Sequence, residues 1–313
     1  MRVVEVTAYG GPEVLQIARR PEPEVADAPG RVRVRVKAAG VHQADLRIRA
    51  GQYAAGLGDL TPPFVLGSDF AGTLMDPAPG MPVGTRVAGF VPWAEERTGA
   101  GSYAEIIQVE PAWLAPVPDE VDFTTAASVP LSALTAQQAV DMLRLPTGSI
   151  VLVTGAGGVV GRFAVQHAAA AGYRVLVVAN EGDEAELRVL GADHIVRRGE
   201  PQDVLAQLLE AAPDRVDGVF DAALIGAPVL PVLKDGGVFI SASPERMPTA
   251  ERGISVTAVH GAPDAPRLKE ILELVASRGL ITRVADVMPL ELAAEAHRRV
   301  EAGHRPGRLV LLV

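Results

Sequence analysis

Residues 31–37 read Arg-Val-Arg-Val-Arg-Val-Lys and alternate without a break. Val32, Val34 and Val36 share one face and the cations share the other, the period-two pattern of a half-buried strand. Glycine and proline clusters punctuate the chain around it, at Gly10-Gly11-Pro12, between Pro21 and Pro29, at Pro62-Pro63, and from Pro77 to Gly84. Such clusters mark turns between short strands. Residues 101–109 form another strand-like run. The first third therefore predicts an irregular, barrel-like module of antiparallel strands.

The pattern changes near Asp122. A helical stretch over roughly 125–143 leads into the apolar run Ile150-Val-Leu-Val-Thr154. Beyond it, candidate strands at 174–179, 194–196, 216–221, 237–241 and 254–259 alternate with helical patterns at 160–171, 183–190 and 201–211. Alternation of this kind predicts a parallel sheet covered on both faces. The tail adds an amphipathic helix carrying Leu268, Ile271, Leu272 and Val275. A strand near Val284, a helix near 292–300 and a last strand at 308–313 follow. No internal repeat is visible.

Composition narrows the classes. At 313 residues and 48% hydrophobic the chain suits two folded domains. A net charge of −9 argues against nucleic acid or an anionic membrane as the main partner. The charge-free stretch 123–140 contains Thr, Ser, Gln and Pro, so it reads as loop and buried helix, not a membrane span. The first ten residues hold no apolar signal region, and a cytosolic setting is expected. With no cysteine, disulfides, iron–sulfur clusters, thiolate zinc sites and a cysteine nucleophile are excluded.

The most informative segment runs Ile150-Val-Leu-Val-Thr-Gly-Ala-Gly-Gly-Val-Val-Gly161. A buried strand enters a turn with Gly155, Gly158 and Gly161 at three-residue spacing, and a helix follows. Glycines there permit a tight turn, close approach to a pyrophosphate, and close helix–strand packing. The main chain of Val159 and Val160 completes the helix start, whose N–H groups and dipole favour phosphate. Dinucleotide binding is expected. Ala179 stands where an acid would accept the adenosine ribose hydroxyls, next to Asn180. Glu181 and Asp183 would repel a 2′-phosphate, whereas Arg197 and Arg198 would offset them. This reading favours NADPH and keeps NADH possible.

In this order these features resemble the medium-chain dehydrogenase/reductase superfamily, and within it the zinc-free quinone oxidoreductase (zeta-crystallin-like) branch. The resemblance covers nearly the whole chain. Its segments are 9–15 (Tyr-Gly-Gly-Pro-Glu-Val-Leu), 36–45, 63–72, 84–89, 101–105, 131–136 and 191–194. It implies an α/β architecture: a GroES-like β-barrel domain from residues 1–121 with 265–313, and a Rossmann doubly wound domain over 122–264. Zinc-dependent relatives carry a cysteine at the position of His42 and a histidine at Ser68, so no zinc is expected. His42 and Asp45 alone cannot supply three protein ligands. Without a Lewis acid, the implied reaction is hydride transfer from NAD(P)H to a quinone or an α,β-unsaturated carbonyl, whose negative charge is delocalised.

By the same resemblance, His42 stands where the branch has an asparagine beside the nicotinamide ribose, and Tyr53 matches a tyrosine near the substrate. These two are the candidate catalytic residues. Asp45, Ser68 and Asp69 are expected to line the substrate pocket. Thr135 matches a pyrophosphate-contacting threonine, and Arg308 a basic position that could approach the cofactor. Ala222 and Ser241 lie at carboxyl ends of sheet strands, where ligands of parallel sheets bind. Among other histidines, His167 is expected in the core, His194 in a packing motif, and His260, His297 and His304 at the surface or an interface. A shortened segment at 72–80 and Gln137, where an aromatic is common, suggest an unusual acceptor. The branch also implies a homodimer paired through the strand at 254–259. Two alternatives stay open: a non-enzymatic cofactor-binding protein, and a biosynthetic step on this fold without net redox change.

Overall fold

The computed structural model describes residues 1–303 and 306–313. It divides into two compact units, Met1–Leu131 with Ala262–Val313, and Ser132–Gly261.

The first unit is built on two sheets. In the smaller, Arg2–Val6 pairs antiparallel with Leu15–Arg19 on one side and Phe64–Val65 on the other. The larger, seven-stranded sheet is centred on Val32–Val41, the longest strand, with Asp69–Leu74, Ile106–Val109 and Arg308–Leu312 as antiparallel neighbours. The last strand of the chain thus returns to the N-terminal module, with Leu309 opposite Val41. Val32, Val34 and Val36 are buried and Arg35 and Lys37 are exposed, as the alternation requires. At a bulge between Val36 and Ala38 the alternation ends, and Ala38 to Val41 are all buried. There the strand is covered on both faces. A Cβ on Gly40 would come within 2.8 Å of the Ala127 carbonyl oxygen. From this strand the chain passes through His42 directly into the helix Gln43–Arg49.

The expected helix over 125–143 is two helices, Phe123–Ala126 and Pro130–Leu143. Proline has no N–H to continue a helix but is favoured as a first residue, so Pro130 starts a new one. The Asp122 carboxylate caps the first piece by accepting from the Thr124 and Thr125 N–H groups. That short helix packs on Val32–Val41 and Asp69–Leu74. For this reason the first unit runs on to Leu131, where the sequence pattern suggested a boundary after residue 121.

The second unit is a six-stranded parallel sheet in the order His194–Arg197, Arg174–Ala179, Ile150–Thr154, Val216–Asp221, Leu233–Ser241, Ser255–Ala258. This is the doubly wound order with the glycine-turn strand beside the switch point. The helices Val159–Ala170, Glu184–Val189 and Pro201–Ala211 connect its strands. The fifth strand starts earlier than the pattern suggests, at Leu233, because a bulge at Val216–Gly218 and an ion pair from Lys234 to Asp217 extend the pairing. Leu152, Leu176, Val219 and Phe239 form the core of the unit. Among the described residues, no helix is long and apolar enough to cross a membrane.

Candidate functional site

In the second unit the glycine turn has the geometry its spacing implies. Gly155 adopts φ +63, a left-handed conformation that costs an L side chain. A Cβ on Gly161 would meet the Gly155 carbonyl oxygen at 2.2 Å, so the helix can lie this close to the strand only with glycine there. Gly158 is the N-cap of the helix Val159–Ala170, and its own N–H donates to the Gly155 carbonyl at 2.9 Å. The first-turn N–H groups of Val159, Val160 and Gly161 then have no intrahelical acceptor. No acidic side chain lies in this first turn. The turn therefore fits the pyrophosphate of a dinucleotide.

The loop that follows the strand Val216–Asp221 is fixed by the buried carboxylate of Asp221, a strand end whose side chain the sequence reading gave no role. Asp221 accepts from Thr154 Oγ1 at 2.5 Å, Ile225 N at 3.1 Å and Gly226 N at 2.8 Å. It thereby shapes the segment from Ala222 to Gly226, in which Leu224 has φ +57. Ser241 is fully buried and its hydroxyl donates to the Ser243 carbonyl at 2.6 Å, which ties it to its own loop. Thr135 is buried on Pro130–Leu143. Asn180 and Arg198 are exposed after the second and third strands, and the Arg198 N–H donates to Ala179 at 2.8 Å.

In the first unit a buried polar network gathers His42, Asp45, Asp69 and Arg308 from three separate segments. His42 Nε2 lies 2.7 Å from Asp69 Oδ2, and Leu131 N donates to Asp69 Oδ1 at 2.8 Å. Asp69, accepting at both oxygens, makes the imidazole the donor. Asp45 Oδ2 accepts the His42 N–H at 2.8 Å and the Tyr103 hydroxyl at 3.0 Å. Tyr103 also lies 3.2 Å from His297 Nε2, and Arg49 Nη1 lies 3.1 Å from His297 Nδ1. Arg49 also pairs with Glu301.

The direction of this chain is set by chemistry. Arginine can only donate, so His297 Nδ1 accepts, and Nε2 carries the proton that goes to the Tyr103 oxygen. The Tyr103 hydroxyl is left to donate to Asp45. Burial, aided by the Arg49 charge, lowers His297 to about 3, so it stays neutral. Burial and the Asp45 charge push Tyr103 well above its ordinary value, so it stays a donor. Burial also raises Asp45, with His42 opposing.

Several placements correct the sequence expectations. His297, expected at the surface or an interface, is fully buried. Arg308 is buried, with Nη1 donating to the Val41 carbonyl at 2.7 Å, and its charge faces Asp69, Asp45 and Tyr103. His194 is exposed, His167 is half-buried and His260 is exposed. His304 lies outside the described residues. The Tyr53 hydroxyl accepts from Arg47 Nη1 at 3.2 Å, outside the His42–Asp45 network. Ser68 is buried and its carbonyl accepts from Val91 at 3.0 Å. The donor set around His42 does not fit a tetrahedral zinc, since Nε2 and both Asp69 oxygens already bond to protein groups and no thiolate exists. Among the described residues, no group of three or more histidines and carboxylates could hold a metal ion.

Sequence reading missed Arg49, Tyr103 and His297. A signal for two of them was present. Arg49 follows Asp45 by four residues on one helix, and His297 continues the buried positions Ala293 and Ala296.

Comparison with known proteins agrees with both units. The alcohol dehydrogenase GroES-like domain model matches residues 28–119, and the zinc-binding dehydrogenase model matches 190–311. A crystal structure of an NAD-dependent alcohol dehydrogenase is similar at TM-score 0.86 and 32% identity, over 100% of both chains. The quinone oxidoreductase from Coxiella burnetii is similar at TM-score 0.87 and 26% identity, over 100% of this chain and 99% of that one. The chloroplastic NADPH-dependent alkenal/one oxidoreductase of Arabidopsis thaliana is 28% identical over 97% of this chain and 77% of that protein. The polyketide synthase GfsB of Streptomyces halstedii is 32% identical over 91% of this chain, which spans only 5% of that much longer protein. The chain belongs to the medium-chain dehydrogenase/reductase family of oxidoreductases. Its second unit is a Rossmann-type nicotinamide-cofactor domain.

Proposed function

We propose that the protein is a zinc-independent reductase that uses NAD(P)H to reduce a quinone or an α,β-unsaturated carbonyl. The observation that carries this reading is the glycine turn, whose unclaimed N–H groups open a helix beside the switch point of a doubly wound sheet. Similarity to an alkenal/one oxidoreductase and a quinone oxidoreductase supports the acceptor class. The bound dinucleotide supplies the hydride.

The protein's own contribution is to hold the reactants and manage one proton. His42 is buried, and its Nε2–H is fixed by Asp69. That bond orients the ring and makes Nε2 a donor. In this reading His42 protonates the oxygen or carbon that receives negative charge, and Asp69 and Asp45 hold His42 in place. Arg308 adds positive charge beside both carboxylates. The edge strand Ser255–Ala258 supplies the pairing surface of a homodimer.

The test is stopped-flow oxidation of NADPH and NADH against quinones, enones and enoyl thioesters. Turnover with at least one class is expected, and His42→Asn should lower its rate about tenfold or more. Cofactor binding without turnover across the panel would overturn the reading in favour of a binding protein.

A further inference from the structure

We propose that Asp221 is a positioning residue for the nicotinamide half of the cofactor: it holds the segment from Ala222 to Gly226 as a shelf against the glycine turn. The inference rests on the glycine-turn reading above. Thr154, Asp221 and Ser241 end three neighbouring parallel strands, and Asp221 is in register with the other two. All three are fully buried, whereas the positions just before them, Val153, Phe220 and Ile240, are apolar. A carboxylate taken out of water is costly unless donors surround it. Asp221 has three, and two of them, the Ile225 and Gly226 N–H groups, belong to the segment that follows it.

That segment bears directly on the turn. A Cβ on Gly155 would meet Ala223 N at 3.0 Å and the Ala222 carbonyl carbon at 3.2 Å. The Thr154 hydroxyl donates to Asp221 and accepts the Ala223 N–H at 3.1 Å. Leu224 has φ +57, which costs an L residue, and the next two N–H groups, both bonded to Asp221, hold it there. On its other side the segment meets the following loop. A Cβ on Gly226 would lie 2.5 Å from the Arg246 carbonyl oxygen, and Ala242 N donates to the Asp221 carbonyl at 3.2 Å. One residue thus ties the glycine turn to two loops at the carboxyl ends of the sheet.

A dinucleotide lies across the switch point, with its adenosine ribose towards the end of the second strand. Here that strand, Arg174–Ala179, flanks Ile150–Thr154 on one side, and Val216–Asp221 flanks it on the other. The nicotinamide half then falls to the Val216–Asp221 side, where the shelf is already fixed. A backbone ordered in advance pays less entropy when the ligand arrives.

Isothermal titration of the full-length protein with NADH, NADPH and ADP, the last with and without a 2′-phosphate, tests this without turnover. ADP carries the adenosine and both phosphates but lacks the nicotinamide half. Asp221→Asn keeps the shape of the side chain but turns one acceptor oxygen into a donor that faces another donor. It should weaken the preferred dinucleotide about tenfold and leave the matching ADP within about twofold of the parent. Thr154→Val, which removes the hydroxyl between Asp221 and Ala223, should give the same split and carries the test if Asp221→Asn does not fold. Equal weakening of dinucleotide and ADP overturns the proposal. So does an unchanged dinucleotide affinity in a variant whose circular dichroism matches the parent. If the parent binds neither dinucleotide, the glycine-turn reading fails as well, and the two failures are told apart.

Discussion

The turn at Gly155–Gly161 and the network around Asp45 are both polar sites inside folded units, but they are made of different material. The turn is main chain. Its function depends on what side chains are missing, and every part lies within seven consecutive residues. The network is side chain, with members drawn from residues 42–49, 69, 103, 297 and 308. A backbone site tolerates few substitutions at its glycines but is indifferent to distant changes. A side-chain site of this kind fails when any buried member loses its partner, because each remaining group pays the cost of burial alone.

Substitutions at each site sharpen that contrast. The largest effect is expected from Asp69→Ala, which leaves His42 and Arg308 without their shared carboxylate. It should destabilise the protein by about 3–5 kcal/mol in a denaturant titration. A loss below 1 kcal/mol would show that the network is not coupled through Asp69. Next, Gly161→Ala forces a Cβ against the Gly155 carbonyl. Melting should report a loss of about 2–3 kcal/mol, and dinucleotide binding should fall below detection in a titration. Binding at the parent level would separate the turn from the cofactor.

A pH experiment comes third. The unfolded His297 takes up a proton near its ordinary 6.5, whereas the folded imidazole resists until about 3. Between those values the unfolded chain binds the extra proton, so stability falls as pH falls. At pH 5 the loss from this group is about 2 kcal/mol. His297→Gln keeps an acceptor for Arg49 and a donor for Tyr103 but cannot titrate. Its stability should therefore change less between pH 7 and pH 5, and an identical slope in both proteins would break the assignment. The smallest effect is Tyr103→Phe. The Asp45 carboxylate loses one donor but keeps the His42 N–H, and about 1 kcal/mol should be lost, as read from urea midpoints.

How far each region could be read from the sequence follows from the same contrast. The glycine spacing, the strand before it and the helix after it are local, and the structure places them as the pattern implies. The half-buried strand at 32–36 was equally legible, since alternation needs only its own residues. Bulges and breaks were not. Pro130 divides a helix that the apolar pattern alone would continue, and the short helix before it packs on the barrel strands. Among site residues, Asp69 was picked out through its motif as a pocket-lining position, but its partner His42 lies 27 residues away. His297 read as a surface or interface histidine because the aromatic ring and arginine that bury it belong to segments 194 and 248 residues distant.

The sequence by itself determined the class of fold, the cofactor turn and the exclusion of thiolate chemistry, because periodicity, glycine geometry and the absence of a residue type are properties of short stretches or of the whole count. Only the tertiary structure decided which charges face each other. Arg197 and Arg162 were cations on a line of text, and folding turned both towards carboxylates. Likewise the polarity from Arg49 through His297 and Tyr103 to Asp45 exists because strands and helices far apart in the chain bury these groups together. Once they are out of water, each hydrogen bond fixes the direction of the next.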